Sequence, residues 1–342
     1  MDPLTHVMAG ALVAHACAGI AAEPAATLTA IGAAALPDLD FYARKYDGAK
    51  FLKVHHGATH SFVGIATQSI LGALAGWAFF RFIPYADAYP AAFAPLLLIS
   101  FLSVATHVFL DWIMHNNGLP LLWPFSERHF CVPLVLGVNP RTVSHNCGQK
   151  HYLTCFGCQS RGGALNPVSW IIVVPAVLGF FTPAWRNLVG IVPWCLAAGY
   201  FGICVYFREQ ARRAAMRIDP AMAQVMGYPG RSRPDRWLFV RRDGDRSFAI
   251  LADGLKHCVM RRWEFRHEPL SPPVDDAVAR VTRDLTPIIR HLYPVEVPLD
   301  DGTLVEFRDL SYLYAEPTEI NTIRVVLDRN HRMLSEVYQE IW

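Results

Sequence analysis

The sequence predicts a mainly α-helical, polytopic membrane bundle of about six apolar segments, followed by a small C-terminal cytoplasmic α+β domain. Of 342 residues, only 18% are charged, against about 25% in an ordinary soluble domain. Residues 1–207 contain 10 Lys/Arg and 8 Asp/Glu, whereas residues 208–342 contain 21 of each sign. The first part therefore lacks the ionic surface of a soluble domain, and the second part is too charged to lie within a bilayer.

Four apolar stretches are suited to crossing a bilayer, which takes about 20 residues of helix. They are residues 62–83, 91–114, 168–182 and 187–207, of which the third is somewhat short. A further pair, residues 7–20 and 25–36, is short and rich in Ala and Gly. This pair forms either a helical hairpin or two thin spans packed through small residues. The membrane part is thus expected to cover residues 1–207.

The loop charges predict the orientation, because Lys and Arg collect in cytoplasmic loops. Three loops or tails carry them in groups: Arg44, Lys45, Lys50 and Lys53; Arg128, Arg141, Lys150 and Arg161; and Arg208, Arg212, Arg213 and Arg217. The alternate loops contain only Arg186. Six segments with both termini in the cytoplasm fit this pattern, which indicates an integral protein of a bacterial-type inner or plasma membrane.

After residue 207 we expect an Arg-rich connector and linker over residues 208–234 and a soluble α+β domain over residues 235–342. Asp243-Gly244 and Asp301-Gly302 each predict a β-hairpin. Further strands are predicted over 259–265 and 323–327, a helix over 275–292 from its apolar spacing, and a helix over the last dozen residues.

The composition of the C-terminal domain bears on its partners. It contains no recognisable catalytic motif, so recruitment of a cytosolic protein partner is the role we consider for it. The net charge of the chain is +2, and no basic stripe interleaved with aromatic residues is present. Direct nucleic-acid binding is therefore not expected.

Histidine is unusually frequent in the charge-poor part, which holds ten of the fourteen. Four clusters of polar residues fall at the same membrane face in the predicted topology: Asp2-Pro3-Leu4-Thr5-His6, Leu36-Pro37-Asp38-Leu39-Asp40, His55-His56-Gly57-Ala58-Thr59-His60-Ser61, and Thr106-His107-Val108-Phe109-Leu110-Asp111. Because the topology rests on Lys and Arg alone, this convergence is an independent observation. Ionisable groups in membrane helices are costly, and they are functional by default.

The clusters have the composition of a metal site. His107 and Asp111 are spaced i, i+4 on one helix face, and His115 continues that face. Zinc accepts both donor types, while several carboxylates would also suit manganese. Asp38 and Asp40 offer oxygens that can bridge two ions about 3.5–4 Å apart. The candidates outnumber the ligands of a single ion, so two or more ions are considered. The Thr residues of the Thr-His pairs would support the ligands by hydrogen bonds.

In this order among apolar segments, the motifs D-P-x-T-H, L-P-D-x-D, H-x-G-x-T-H-S and H-x-x-x-D resemble the family of membrane-bound metal-dependent hydrolases. Some members are described as LexA-binding and inner-membrane-associated. The similarity covers about residues 1–140. That family is distantly similar to zinc-dependent phospholipase C and P1-type nucleases, which hydrolyse phosphoesters at trinuclear zinc sites. The resemblance implies the ligands His6, Asp38, His60, His107 and Asp111, with His55 and Asp40 in or next to the ligand shell.

The sequence departs from the family pattern at two points. His56 stands where Arg is usual, so a phosphate-binding guanidinium is missing or replaced, and His56 joins His115 as an additional candidate ligand. The second, downstream His-x-x-x-Asp/Glu pair of trinuclear enzymes is missing from the sequence, which argues against a third ion.

The expected function is metal-assisted hydrolysis of a phosphoester in a lipid-derived or amphiphilic substrate at the cytoplasmic membrane face. Asp38 or Asp40, whichever is not committed to metal, would orient the nucleophilic water. Candidate phosphate-binding cations are Arg44, Lys45, Lys53 and Arg128, although these residues equally fit topology and attraction to anionic lipid. The alternative is a non-catalytic metal-binding membrane protein that recruits a cytosolic regulatory partner through its C-terminal domain. A transporter is disfavoured, because the polar groups cluster at one face rather than at mid-membrane.

A second constellation lies in the loop over residues 144–163. Its members are His145, Cys147, His151, Cys155 and Cys158. A CxxC pair with a preceding Cys or His has the ligands of a structural zinc site. Because thiols stay reduced in the cytoplasm, a metal is favoured over a disulfide.

Overall fold

The protein is described here by a computed structural model. It describes residues 3–21, 23–40, 48–54, 56–82, 92–114, 116–135, 167–230, 233–313 and 322–339. The chain divides into two compact units. We call the first the membrane unit, which comprises Met1–Tyr42, Val54–Val132 and Leu165–Gly202. The second is the C-terminal unit, which comprises Ala43–Lys53, Pro133–Ala164 and Ile203–Trp342.

The described elements follow in chain order. The helices are α1 (Pro3–Ala16), α2 (Glu23–Ala35), α3 (Gly48–Val54), α4 (Phe62–Phe82), α5 (Phe93–Met114), α6 (Pro167–Phe181), α7 (Arg186–Met216) and α8 (Pro272–Leu285). The strands are β1 (Gly227–Gly230), β2 (Arg233–Asp243), β3 (Arg246–Asp253), β4 (Cys258–Arg266), β5 (Leu292–Leu299), β6 (Gly302–Asp309), β7 (Thr322–Asp328) and β8 (Met333–Gln339).

The membrane unit is a helical bundle in which small residues permit close packing. Helix α1 contacts α2, α5 and α6, while α2 also contacts α4 and α5. At Gly10 of α1, an added Cβ would lie 2.6 Å from the carbonyl oxygen of Ala30 in α2. Only glycine permits this approach, as expected for helices that associate in a membrane through small residues. The predicted pair of short, Ala/Gly-rich helices is therefore confirmed as two helices in contact.

Among the described residues, three helical stretches are long and apolar enough to cross a membrane. They are Phe62–Phe82, Phe93–Met114 and Pro183–Met216. Helix α6 is apolar but has 15 residues, and α1 and α2 have 14 and 13, fewer than the about 20 residues that a span requires. Three of the six expected spans thus meet the length criterion, and the other three stay predictions.

The C-terminal unit includes a two-sheet antiparallel β domain. It contains two four-stranded antiparallel sheets, with the orders β1-β2-β3-β4 and β5-β6-β7-β8. Both predicted hairpins are confirmed as β2–β3 and β5–β6. One face of α8 packs on the second sheet through Val274, Val278 and Val281, against Val305 and Phe307.

Helix α3 belongs to the C-terminal unit although it lies between α2 and α4 in sequence. Ala49 is fully buried in the core cluster of α8 and the second sheet. Its backbone N–H donates to Glu336 Oε1 over 2.6 Å. The segment that joins two parts of the membrane unit is thus built into the other unit.

Three local predictions differ from the structure. The last dozen residues were expected to be helical, but Met333–Gln339 form β8 and pair with β7. Helix α8 ends at Leu285 rather than near Leu292, because Pro287 has no backbone N–H to continue the helical hydrogen bonds. Gly227–Gly230, within the expected linker, form β1 and pair with β2.

Candidate metal centre

Three of the four predicted clusters of the membrane unit contribute to one side-chain group. Asp38 follows α2 in a single turn over residues 37–40, and His60 ends the short 3-10 turn that precedes α4. His107 and Asp111 lie near the C-terminal end of α5. One potential ligand atom from each of these four residues lies within 4.8 Å of the others. We call these four residues the His/Asp cluster.

The orientation of His107 leaves one ring nitrogen facing the cluster. Nδ1 lies 2.6 Å from the carbonyl oxygen of Ala34, and because a carbonyl only accepts, Nδ1 carries the hydrogen. Nε2 then has the lone pair in the neutral ring. It lies 3.3 Å from Asp111 Oδ2 and 3.5 Å from Asp38 Oδ1. A histidine held through its second nitrogen is the usual arrangement of a metal ligand.

His60 is oriented in the same way by Asp40 and Thr59. The Thr59 hydroxyl donates to Asp40 Oδ2 over 2.7 Å and lies 2.9 Å from His60 Nδ1. Asp40 Oδ2 itself lies 3.3 Å from that nitrogen. With Nδ1 directed at these two acceptors, Nε2 points the other way, to a position 3.2 Å from Asp111 Oδ2. Asp40 therefore lies behind His60, on the side away from the cluster.

Two further histidines border the cluster. His6, on α1, is buried, with Nε2 3.1 Å from Asp111 Oδ1 and its ring stacked on His107 at 3.7 Å between centroids. His56 Nε2 lies 3.7 Å from Asp111 Oδ2, and the His56 backbone N–H donates to Asp40 Oδ2 over 2.9 Å. The first predicted cluster thus reaches the site through His6.

The carboxylates of the cluster lie against imidazole rings. Asp38 pairs with His107, and Asp111 pairs with His6, His56, His60 and His107. Burial lowers the pKa of His60, but the adjacent carboxylates of Asp111 and Asp40 outweigh burial and raise this pKa to about 9. The carboxylates thus hold a proton on the ring when no other cation is near, and a metal ion would compete for that position.

The donor set fits a divalent metal. The Nε2 atoms of His60 and His107 are buried and have no hydrogen-bond partner among the described residues. Two imidazole nitrogens and carboxylate oxygens are zinc ligands, and in a tetrahedral shell with bonds of about 2.0–2.1 Å the donor atoms lie about 3.3 Å apart. The separations of 3.2, 3.3 and 3.5 Å agree with that spacing. The cluster is therefore a candidate site for one ion, and a second ion stays a prediction.

The other predicted site residues fall elsewhere. Lys53 belongs to the C-terminal unit, where its Nζ lies 3.7 Å from Asp284. Arg128 is exposed, with its guanidinium 5.8 Å from the centre of the Phe130 ring. The remaining candidates lie outside the described residues: His55, His115, Arg44, Lys45, His145, Cys147, His151, Cys155 and Cys158.

The supporting contacts were only partly predictable. The expected hydroxyl support is present at Thr59, whereas the Thr5 hydroxyl donates to Ser169 on α6 over 3.0 Å. The Ala34 carbonyl that orients His107 has no sequence signal, because any residue at that position presents the same acceptor. The sequence left open whether Asp38 or Asp40 orients the water, and the structure separates them by the contacts of Asp40 with His60 and Thr59.

The fold and the cluster define a class: a polytopic membrane protein with a buried His/Asp site near the ends of its apolar helices. The family model of the YdjM inner membrane protein matches residues 1–211. This range covers more than half of the chain and all residues of the cluster, so the chain belongs to the YdjM inner membrane protein family. No curated protein and no solved structure matches it. The family confirms the membrane-associated part of the resemblance and a location in the inner membrane.

Proposed function

We propose that this protein is a metal-dependent hydrolase that cleaves a phosphoester at the membrane surface. The observation that carries the proposal is the convergence of two buried imidazole nitrogens, Nε2 of His60 and Nε2 of His107, with the carboxylates of Asp38 and Asp111. A divalent ion held there, with zinc the best fit and manganese the alternative, would activate a water molecule and polarise a phosphoryl oxygen.

The residues of the cluster, together with Asp40, divide into three roles in this proposal. His60, His107 and Asp111 are fully buried and act as ligands. Asp38 is the partly exposed member, with 21% of its side chain accessible, so it borders the side that substrate and water can reach. We assign Asp38 the orientation of the nucleophilic water through its carboxylate. Asp40 is a positioning residue, because its Oδ2 contacts the His60 ring, the Thr59 hydroxyl and the His56 N–H.

The position of the cluster along the helices supports a lipid-derived or amphiphilic substrate. His60 lies two residues before the start of the apolar helix α4, and Asp111 lies three residues before the end of the apolar helix α5. Both are therefore near the ends of candidate spans, where lipid headgroups lie. We place this face on the cytoplasmic side, with both termini there, because Lys and Arg collect in the loops of that side.

One observation favours a second candidate function, a non-catalytic metal-binding protein. Three of the four cluster residues have no exposed surface, and closed sites are typical of structural zinc. In that case the metal would stabilise the bundle, and the C-terminal unit would recruit a cytosolic partner. The two proposals differ in whether metal-dependent turnover exists.

The test uses full-length protein in detergent micelles with a soluble aryl phosphodiester and with phosphatidyl lipids. The variant Asp38→Asn is compared with His15→Gln, a change at a buried histidine of α1 whose Nε2 donates to the Ala176 carbonyl over 3.2 Å. We expect metal-dependent turnover in the wild type and in His15→Gln, and a loss of about 100-fold or more in Asp38→Asn. Bound metal without turnover on any substrate would instead support the non-catalytic function.

A further inference from the structure

The turn that joins β3 to β4 packs directly against α7. Within this turn, an added Cβ at Gly254 would lie 2.2 Å from the carbonyl oxygen of Phe207. The Gly254 backbone N–H also donates to the carbonyl oxygen of Asp235 over 2.6 Å. Glycine is therefore required here, and the backbone of the turn is fixed at one level of the helix.

That level is the end of the apolar stretch of α7. Residues 187–207 contain no charged side chain, and Arg208 is the first charge after them. At about 1.5 Å of rise per residue, this stretch matches the hydrocarbon core of about 30 Å. Tyr206, 57% exposed, lies at the same level, where aromatic side chains are enriched at membrane–water interfaces. The turn thus lies where α7 leaves the apolar layer.

The side chains of the turn and of the adjoining strand β4 suit an interface between lipid tails and headgroups. Leu255 is 57% exposed and Met260 is 41% exposed, although both are large and apolar. Lys256 and Arg262 beside them are exposed as well. Asp253 is buried, and its Oδ1 accepts the backbone N–H groups of Leu255 and Lys256 over 3.0 and 2.8 Å. This acid therefore holds the turn in shape and leaves the outer surface basic.

We propose that the β3–β4 turn is a membrane-interface anchor for an anionic bilayer. Leu255 enters the boundary between headgroups and acyl chains, and Lys256 with Arg262 binds lipid phosphates. Apolar side chains flanked by basic ones bind such surfaces through buried area and charge attraction. This inference does not depend on the metal site or on hydrolysis.

The same unit provides a matched control in the β5–β6 turn. Leu299 is 45% exposed, but it is followed by Asp300 and Asp301. Both turns therefore present a leucine, one beside a lysine and the other beside two aspartates. An anionic bilayer would attract the first turn and repel the second.

The experiment places the photoreactive residue p-benzoylphenylalanine at Leu255 or at Leu299 in full-length protein. Each variant is reconstituted in vesicles of phosphatidylcholine alone or mixed with phosphatidylglycerol. After illumination, mass spectrometry measures lipid adducts. We expect about tenfold more lipid adduct at Leu255 than at Leu299, the factor that burial of a leucine provides. If the Leu255 variant does not fold, Met260 carries the probe with the same expectation.

The role of the basic residues is tested by Lys256→Gln with the probe at Leu255. We expect about fivefold less adduct in anionic vesicles, from the contribution of one basic residue near a charged surface, and no change in phosphatidylcholine alone. Equal lipid adducts at Leu255 and Leu299, or adducts of Leu255 with protein instead of lipid, would overturn the proposal.

Discussion

Two buried carboxylates, one in each unit, are neutralised in different ways. Asp111 of the membrane unit faces the imidazoles of His6, His60 and His107 at 3.1–3.3 Å. Glu306 of the C-terminal unit receives the guanidinium groups of Arg308 at 2.6 Å and Arg324 at 2.9 Å. Arginine keeps its protons, whereas an imidazole can exchange a proton for a metal ion.

This difference separates a structural charge pair from a binding site. Burial raises the pKa of Glu306, but hydrogen bonds and charge from Arg308, followed by those from Arg324, hold it below its usual value. The negative charge is thus fully matched by groups of the chain. The carboxylates of the His/Asp cluster face imidazole rings, which are groups that can exchange a proton for a metal ion.

Metal removal is expected to have the largest effect on stability, and to destabilise only the membrane unit. A ligand at 1,000 times its Kd stabilises the form that binds it by about 4 kcal/mol. Treatment with a chelator should therefore lower the unfolding temperature of the membrane unit and leave that of the C-terminal unit unchanged. Limited proteolysis of the heated full-length protein measures both. Equal shifts of the unfolding temperature in both units, or no shift in the membrane unit, would contradict a metal site in the membrane unit alone.

Removing the carboxylate behind His60 should weaken metal binding without removing a ligand. We expect Asp40→Asn to reduce metal affinity by about 10–100-fold, the usual effect of losing a group that orients a ligand. Competition with a fluorescent chelator measures the affinity. The control is Asp284→Asn, which removes the partner of Lys53 in the C-terminal unit and should leave affinity unchanged. An unchanged metal affinity in Asp40→Asn would contradict the positioning role of Asp40.

The corresponding change in the C-terminal unit should affect stability and not metal content. Glu306→Gln leaves two guanidinium groups without their shared carboxylate, at a cost of about 2 kcal/mol. Glu264→Gln is the matched control, because its pair with Arg246 is exposed and contributes at most about 0.5 kcal/mol. Urea unfolding followed by limited proteolysis measures the difference. A loss of bound metal in Glu306→Gln would contradict a purely structural role for the Glu306 charge pair.

The C-terminal unit also has an acid sensitivity of its own. Burial, and secondarily the charge of Arg290, lowers the pKa of His291 to about 4, against about 6.5 in an unfolded chain. The unfolded state then binds more protons between these values, so stability is constant above pH 6.5 and falls as pH drops towards 4. The expected loss between pH 7 and pH 5 is about 2 kcal/mol or less. His291→Gln should reduce it in urea unfolding at the two pH values, and an unchanged pH dependence would exclude His291 as its source.

The features that the sequence predicted well depend on local spacing. The i, i+4 spacing of His107 and Asp111 places both on one face of a helix, and Asp243-Gly244 marks a hairpin without reference to the rest of the chain. The meeting of His60 with His107 agrees with the predicted topology, which assigns both residues to the same membrane face. The helix spacing and the hairpin signal are reliable because each is determined by geometry over a few residues.

The features that the sequence did not predict depend on packing between distant segments. The backbone carbonyl of Ala34 has no side-chain signal, and the separate roles of Asp38 and Asp40 follow from which of them faces His60. Helix α3 joins the second core through Ala49, a residue that is small and apolar like many others. The last dozen residues were predicted to be helical from their local pattern. Pairing with β7 outweighs that pattern, so this segment contains the strand β8.

The most direct test for a metal ion in the His/Asp cluster is the metal content of the full-length protein. The protein is purified without chelators and measured by elemental analysis. Wild type is compared with two variants. His107→Ala removes a cluster residue on α5, and His15→Ala removes a buried histidine on α1 that is not part of the cluster. We predict about one or more transition-metal ions per chain in wild type and in His15→Ala, and a clear loss in His107→Ala. Wild-type protein without stoichiometric metal, or equal metal in wild type and His107→Ala, would contradict a metal centre at the His/Asp cluster.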